Sequence, residues 1–157
     1  MHGSRRLVHV INQVLKDAAD YAEHQGVDCK LVVSPESSRA SVLGDEGLLQ
    51  RAIDNILQNA LDHTPPGRAV HLAVTVADDW LTLTVDDEGP GVPDELIGQL
   101  FEPSFRADKS RGGTGWGLGL AIARDIVAAH DGVIGAAAGE TGGLRVTLRL
   151  PVFFGGG

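Results

Sequence analysis

Cysteine is almost absent. Cys29 stands alone in a chain of 157 residues, so neither an intrachain disulfide nor a multi-cysteine zinc site can form, and a reducing compartment is the simplest setting. The expected place of this lone thiol is a buried strand position. Basic excess is missing too. With 13 Lys and Arg against 21 Asp and Glu, a formal charge of −8 and a pI near 5.1, the chain has no general basic face. That argues against nucleic acid or an anionic membrane as the main partner. No segment approaches the ~20 consecutive apolar residues of a membrane-spanning helix, so this part of the protein is expected to lie outside the bilayer. Residues 1–4, Met1-His2-Gly3-Ser4, lack an apolar signal core and read as an appended remnant. No internal repeat is present.

Glycine, by contrast, is plentiful: 21 residues, roughly twice the ~7% average. Five fall in Gly112-Gly113-Thr114-Gly115-Trp116-Gly117-Leu118-Gly119 and three close the chain at 155–157, so the excess marks one loop and a flexible tail over 153–157. The loop runs straight into the helical pattern Leu120-Ala121-Ile122-Ala123-Arg124-Asp125-Ile126-Val127. Bare N–H groups and the positive end of a helix dipole then face one point, which is how a phosphate is cradled. Just upstream, Arg106, Lys109 and Arg111 cluster in an otherwise acidic chain. They read either as a solvated loop or as partners for a small anion. The length suits a single domain, expected over 5–152, since domains commonly run to about 100–150 residues.

Leu7, Val10, Ile11, Val14, Ala18 and Ala22 recur at helical spacing, and a first helix is expected to end near Gly26. A strand over 28–33 and a short one at Ser41 to Leu43 precede a second helix from about Asp45 to His63, closed by Pro65-Pro66-Gly67. Alternation in Val70 to Val76 and Leu81 to Val85 around Asp78-Asp79 predicts a hairpin. A third helix is expected from Gly117 to His130. Two last strands, Val133 to Ala138 and Leu144 to Leu150, are joined by Gly139-Glu140-Thr141-Gly142-Gly143. Three helices and about five strands imply an α/β two-layer sandwich, a mixed and mostly antiparallel sheet covered on one face. The polar, glycine-rich region 102–115 is expected to be a mobile surface loop.

Two further segments carry chemistry. Asn55 and Asn59 are four residues apart, so a helix places both amides on one face. They are either plain surface amides or neutral oxygen ligands for Mg²⁺, which prefers a few protein oxygens alongside water and phosphate. Asp87 follows the strand Leu81 to Val85 and opens Gly89-Pro90-Gly91, which sets a carboxylate at a corner whose backbone a ligand can approach closely.

Taken in order, Asp54 to Thr64, Asp87 to Gly91, Phe101 to Arg106 and Gly113 to Leu120 resemble the N, first glycine, F and second glycine boxes of the ATP-binding catalytic domain of sensor histidine kinases. That domain belongs to the superfamily of gyrase, heat-shock chaperone, histidine kinase and mismatch-repair ATPases, and the likeness covers nearly the whole chain. The resemblance implies a Bergerat-type ATP-binding fold with ATP and Mg²⁺ as ligands. It implies that Asn55 and Asn59 sit at the triphosphate, Asn59 foremost as metal ligand, and that Asp87 accepts a hydrogen bond from the adenine amino group beside Gly89 and Gly91. Phe101 and Phe105 would anchor a lid, and Arg106 and Arg111, with Lys109, would reach the phosphates in a catalytic role. Gly113, Thr114, Gly115, Trp116, Gly117, Leu118 and Gly119 would surround the nucleotide. His63 stands where the family often has a nucleotide neighbour, or is simply a helix-end histidine. Two positions depart from the pattern: Asp62, where the family usually has Lys or Arg, and Trp116, where small residues are common.

Hydrolytic relatives carry a glutamate general base at the position of Asn55. An amide has no lone pair basic enough for that task, so the γ-phosphate is kept for another nucleophile. The implied activity is protein-histidine kinase catalysis, with transfer to a histidine on a separate dimerisation domain. None of His2, His9, His24, His63, His71 or His130 is followed by the acid and Thr-Pro of an acceptor. The implied partners are that phosphoacceptor domain and, indirectly, a response regulator. The implied setting is a monomeric catalytic domain on the cytoplasmic side of a homodimeric, membrane-bound parent. A gyrase-type hydrolase, a non-catalytic nucleotide-gated module and a serine-directed anti-sigma-type kinase share these boxes and are the alternatives.

Overall fold

The computed structural model of the protein describes residues 3–103, 117–140 and 142–153. Helix α1 (Leu7–Gln25) buries Leu7, Val10, Ile11, Val14, Ala18 and Ala22, the stripe its periodicity predicts. It stops at Gly26, whose left-handed φ of +73° lets its N–H reach the carbonyls of Ala22 and Glu23, a conformation that favours glycine. Helix α2 (Glu46–Asp62) begins after Asp45, whose Oδ1 accepts the Leu48 N–H at 2.9 Å and so satisfies a donor the helix start leaves unpaired. Helix α4 (Gly117–Ala129) packs against α2, as does α1. A one-turn helix, α3 (Asp94–Ile97), lies between the first glycine box and the F box.

The main sheet has five strands: β2 (Asp28–Val33), β4 (Ala69–Ala77), β5 (Trp80–Asp86), β6 (Val133–Ala138) and β7 (Leu144–Pro151). Their order is β2-β4-β5-β7-β6, with only the β2–β4 pair parallel. The β4–β5 turn is Asp78-Asp79, both at positive φ (+53° and +66°), the primed-turn geometry that matches strand twist. Burial alternates along β5: Leu81, Leu83 and Val85 are buried and the intervening threonines are half-buried. One face therefore meets the helices, and Leu72, Val74, Leu83, Val85, Val146 and Leu148 join Leu49, Ile53, Ile56 and Leu57 in a single core. This is the α/β sandwich implied by the element pattern.

Beyond the expected elements, β1 (Gly3–Arg6) pairs antiparallel with β3 (Ser41–Gly44) in a separate two-stranded sheet, Gly3 opposite Gly44 and Ser4 opposite Leu43. Residues 3–6 carry no alternating apolar pattern, which is why periodicity is silent on this pairing. Cys29 lies on the edge strand β2 and is only half-buried, and burial pushes its thiol pKa up. Among the described residues no helix is long and apolar enough to cross a membrane.

Candidate nucleotide-binding site

Three consecutive acids leave β5, and the fold gives each a different environment. Asp86 faces its cross-strand neighbour Arg145, whose Nε donates to both carboxylate oxygens at 2.8 and 3.0 Å. Glu88 accepts the Ala69 N–H at 3.3 Å and a bond from His71 Nε2 at 2.6 Å, and this histidine partner lowers its pKa. Asp87 alone turns inward and is 3% exposed. Its Oδ1 accepts two backbone donors, Gly89 N–H at 2.9 Å and Leu144 N–H at 3.1 Å. Burial raises its pKa, since desolvation disfavours the charged form, while the two N–H groups and neighbouring His63 oppose the shift. Among the described residues both hydrogen bonds fall on one oxygen and no Lys or Arg pairs with Asp87. Its second oxygen, Oδ2, accepts no hydrogen bond among the described residues.

The end of α2 abuts this corner. A β-carbon at Gly89 would run into the His63 carbonyl oxygen, so the glycine is required by close backbone approach rather than by turn geometry. His63 closes α2 and donates from Nδ1 to the Asn59 carbonyl at 2.7 Å. Asn59 and Asn55 are half-buried one and two turns back, and Gly119 at the start of α4 brings its backbone to where a β-carbon would lie 3.9 Å from Asn55 Cβ. Asp87, Gly89, His63, Asn59, Asn55 and Gly119 thus form one continuous strip from the strand corner along α2 to the α4 N-terminus.

The unexpected acid at position 62 has a structural partner: its carboxylate accepts a hydrogen bond from the Tyr21 hydroxyl on α1. That bond pushes the Tyr21 pKa up to about 12. Asp62 is therefore engaged by α1, and α2 supplies no cation where the family's pattern has one. Among the described residues no three His, Cys, Asp or Glu side chains converge on a metal cage. Asn55 and Asn59 each carry a neutral carboxamide oxygen, the kind of sparse protein donor that Mg²⁺ takes beside water and phosphate oxygens.

Phe101 is partly exposed and packs on the core, and Gly91 (φ +79°) lies against the Gly142 carbonyl. Phe105, Arg106, Lys109, Arg111, Gly113, Thr114, Gly115 and Trp116 lie outside the described residues, as do the side-chain surroundings of Leu118 at the start of α4. Sequence reasoning missed Leu144, because a backbone N–H carries no residue-type signal. It passed over Gly142 and Gly143 as a mere strand connection, although their glycine pair was the available clue.

Comparison with known proteins points to one family. The sequence profile of the histidine kinase-, DNA gyrase B- and HSP90-like ATPases matches residues 44–153. The chain is 46% identical over 103 residues to sensor histidine kinase GtrS of Pseudomonas aeruginosa, a match covering 66% of this chain and 21% of that protein. It is 37% identical over 148 residues to sensor histidine kinase CpxA of Escherichia coli, covering 90% of this chain and 31% of that protein. Among solved structures, the mycobacterial sensor histidine kinase MprB superposes with a TM-score of 0.83 at 29% identity, over 97% of this chain and 98% of that one. Full-length ShkA in complex with AMPPNP gives 0.79 at 28% identity, over 96% of this chain and 31% of that one. The chain therefore spans a fifth to a third of the length of these curated relatives.

Proposed function

The chain belongs to the family of histidine kinase-, DNA gyrase B- and HSP90-like ATPases, and from that premise we propose that it is the ATP-binding catalytic domain of a two-component sensor histidine kinase. ATP binds along the strip described above, with adenine at the Asp87 corner and the phosphates toward Asn55, Asn59 and the start of α4. Asp87 selects adenine because its carboxylate accepts from the exocyclic amino group; guanine presents a carbonyl there, acceptor against acceptor. Asn55 and Asn59 would hold Mg²⁺, which neutralises charge on the β- and γ-phosphates when bound. Arg106, Lys109 and Arg111 supply further cations, guanidinium forks being suited to phosphate oxygens. The recipient is a histidine on a separate domain of the parent, in turn the donor for a response regulator. The parent is a homodimeric membrane-bound sensor with this domain on the cytoplasmic side.

The observation that carries this reading over a hydrolase is Asn55. The position that bears a water-activating carboxylate in hydrolytic relatives holds an amide, on a residue whose β-carbon neighbours Gly119 at the start of α4. Incubated with γ-labelled ATP, the domain alone is expected neither to label itself nor to release phosphate at a useful rate. Mixed with the histidine-bearing hairpin of its parent it should produce acid-labile phosphohistidine on the hairpin. Separation forgoes the roughly millimolar effective concentration of a short tether, so the deciding experiment uses the intact parent: no phosphohistidine there, with ATP bound, rejects the kinase. A nucleotide-gated module is the second reading, favoured by Asp62 standing where the family's pattern has a Lys or Arg at the phosphates.

The metal assignment has its own test. Asn59→Ala is expected to abolish most of the Mg²⁺ enhancement of ATP affinity while changing metal-free ADP affinity less than about twofold, because adenine recognition rests on Asp87. Equal Mg²⁺ enhancement in wild type and variant, measured by calorimetric titration, excludes Asn59 as the ligand.

A further inference from the structure

The hairpin turn between β6 and β7 interlocks with the Asp87 corner more closely than a strand connection requires. Asp87 N–H donates to the Leu144 carbonyl at 3.1 Å, and Leu144 N–H returns to Asp87 Oδ1 at 3.1 Å. A β-carbon at Gly143 would run into the Asp87 carbonyl oxygen and come within 2.5 Å of Asp87 Oδ1; one at Gly91 would run into the Gly142 carbonyl oxygen. The turn is closed on itself by Gly139 N–H to Gly143 O at 2.7 Å and Gly142 N–H to Gly139 O at 3.2 Å. Its flank is pinned by Arg145, which holds Asp86 and lies 3.8 Å from Glu140. From the other side the His63 carbonyl abuts Gly89.

Resting on the nucleotide reading above, we propose that Gly143 and the Leu144 N–H form a brace that positions Asp87 for adenine recognition. Gly143 is then a positioning residue, and the start of β7 at Leu144 belongs to the adenine subsite with it. The physical reason is that one carboxylate oxygen must be held by backbone donors so that the other has a single direction in which to accept. The backbone of β7 can come that near only where no β-carbon intervenes.

Two glycine variants separate contact from turn strain. Gly143 is not among the positive-φ glycines, whereas Gly142 sits at φ +95° with no heavy atom within 4 Å of a β-carbon built on it. Gly143→Ala is expected to weaken ADP binding by about tenfold or more, and Gly142→Ala, strained but contact-free, by less than about threefold. Unchanged ADP affinity in a folded Gly143→Ala protein overturns the proposal. Should that variant not fold, the wild type decides it. Carbon-detected NMR of the Asp87 carboxyl, followed with the Leu144 and Gly89 amide protons, should give one common titration midpoint, distinct from that of Glu88. A Leu144 amide that ignores the Asp87 titration overturns the brace. If wild type does not bind ADP, the nucleotide reading fails by itself, and the amide titration still decides whether the brace exists.

Discussion

Asp87→Asn should lower adenine-nucleotide affinity by about tenfold to over a hundredfold, the loss of about 1.5–3 kcal/mol expected for a hydrogen bond to a charged group, while the domain melts at an unchanged or higher temperature. The two effects part because Asp87 uses its oxygens differently. An asparagine carbonyl can replace Oδ1 and keep the Gly89 and Leu144 N–H bonds, but its NH₂ then faces the adenine amino group, donor against donor. The stability side follows from linkage. Burial raises the folded-state pKa of Asp87, so the folded chain binds that proton more readily than the unfolded one. The associated stability is present below the unfolded value and lost as pH rises through the folded value. At neutral pH the carboxylate is thus a net cost to the fold, one that asparagine removes. Ligand binding runs the other way: wild-type ADP affinity should decline, as pH falls, above the ordinary carboxylate range, and the variant should show no such decline. Calorimetric titrations across pH with parallel thermal melts test both halves, and wild-type affinity in a folded Asp87→Asn protein would remove Asp87 from the adenine site.

Gly89→Ala is expected to damage fold and site together. The added carbon would collide with the His63 carbonyl oxygen and lie 3.0 Å from its carbon and 3.2 Å from Asp87 Oδ1. None of these is the free end of a flexible side chain. Overpacking of this kind costs about 2–3 kcal/mol, lowering the melting temperature by about 4–12 °C for a domain of this size. The displaced corner should also lose nucleotide affinity. Gly98→Ala is the control, since nothing lies within 4 Å of its β-carbon and its φ of −64° suits any residue. A Gly89→Ala protein that melts and binds like wild type would show that the corner does not rest on α2.

Much of this protein was legible without coordinates because its signals are periodic or local. The stripe from Leu7 to Ala22 and the alternation from Leu81 to Val85 each record which face meets the core, so composition and period sufficed for three helices over a five-stranded sheet. The four ordered boxes pointed to the ATPase family, and Asp87, Asn55 and Asn59 could be singled out by their neighbours in the chain. Pairings between distant segments left no such trace. That Gly3–Arg6 would pair with Ser41–Gly44, that Asp62 would be taken by Tyr21, and that the Leu144 N–H would reach a carboxylate 57 residues upstream depends on how the elements close on one another. Residue types chose the acid, the amides and the glycines. The alternation Leu81, Leu83, Val85 already put Asp87 on the inward side of its strand, but only the packing of β7 and the end of α2 around the β5 corner gave that carboxylate the Leu144 donor and set the His63 carbonyl against Gly89, because contacts between distant segments belong to the assembled fold and to no single stretch of chain.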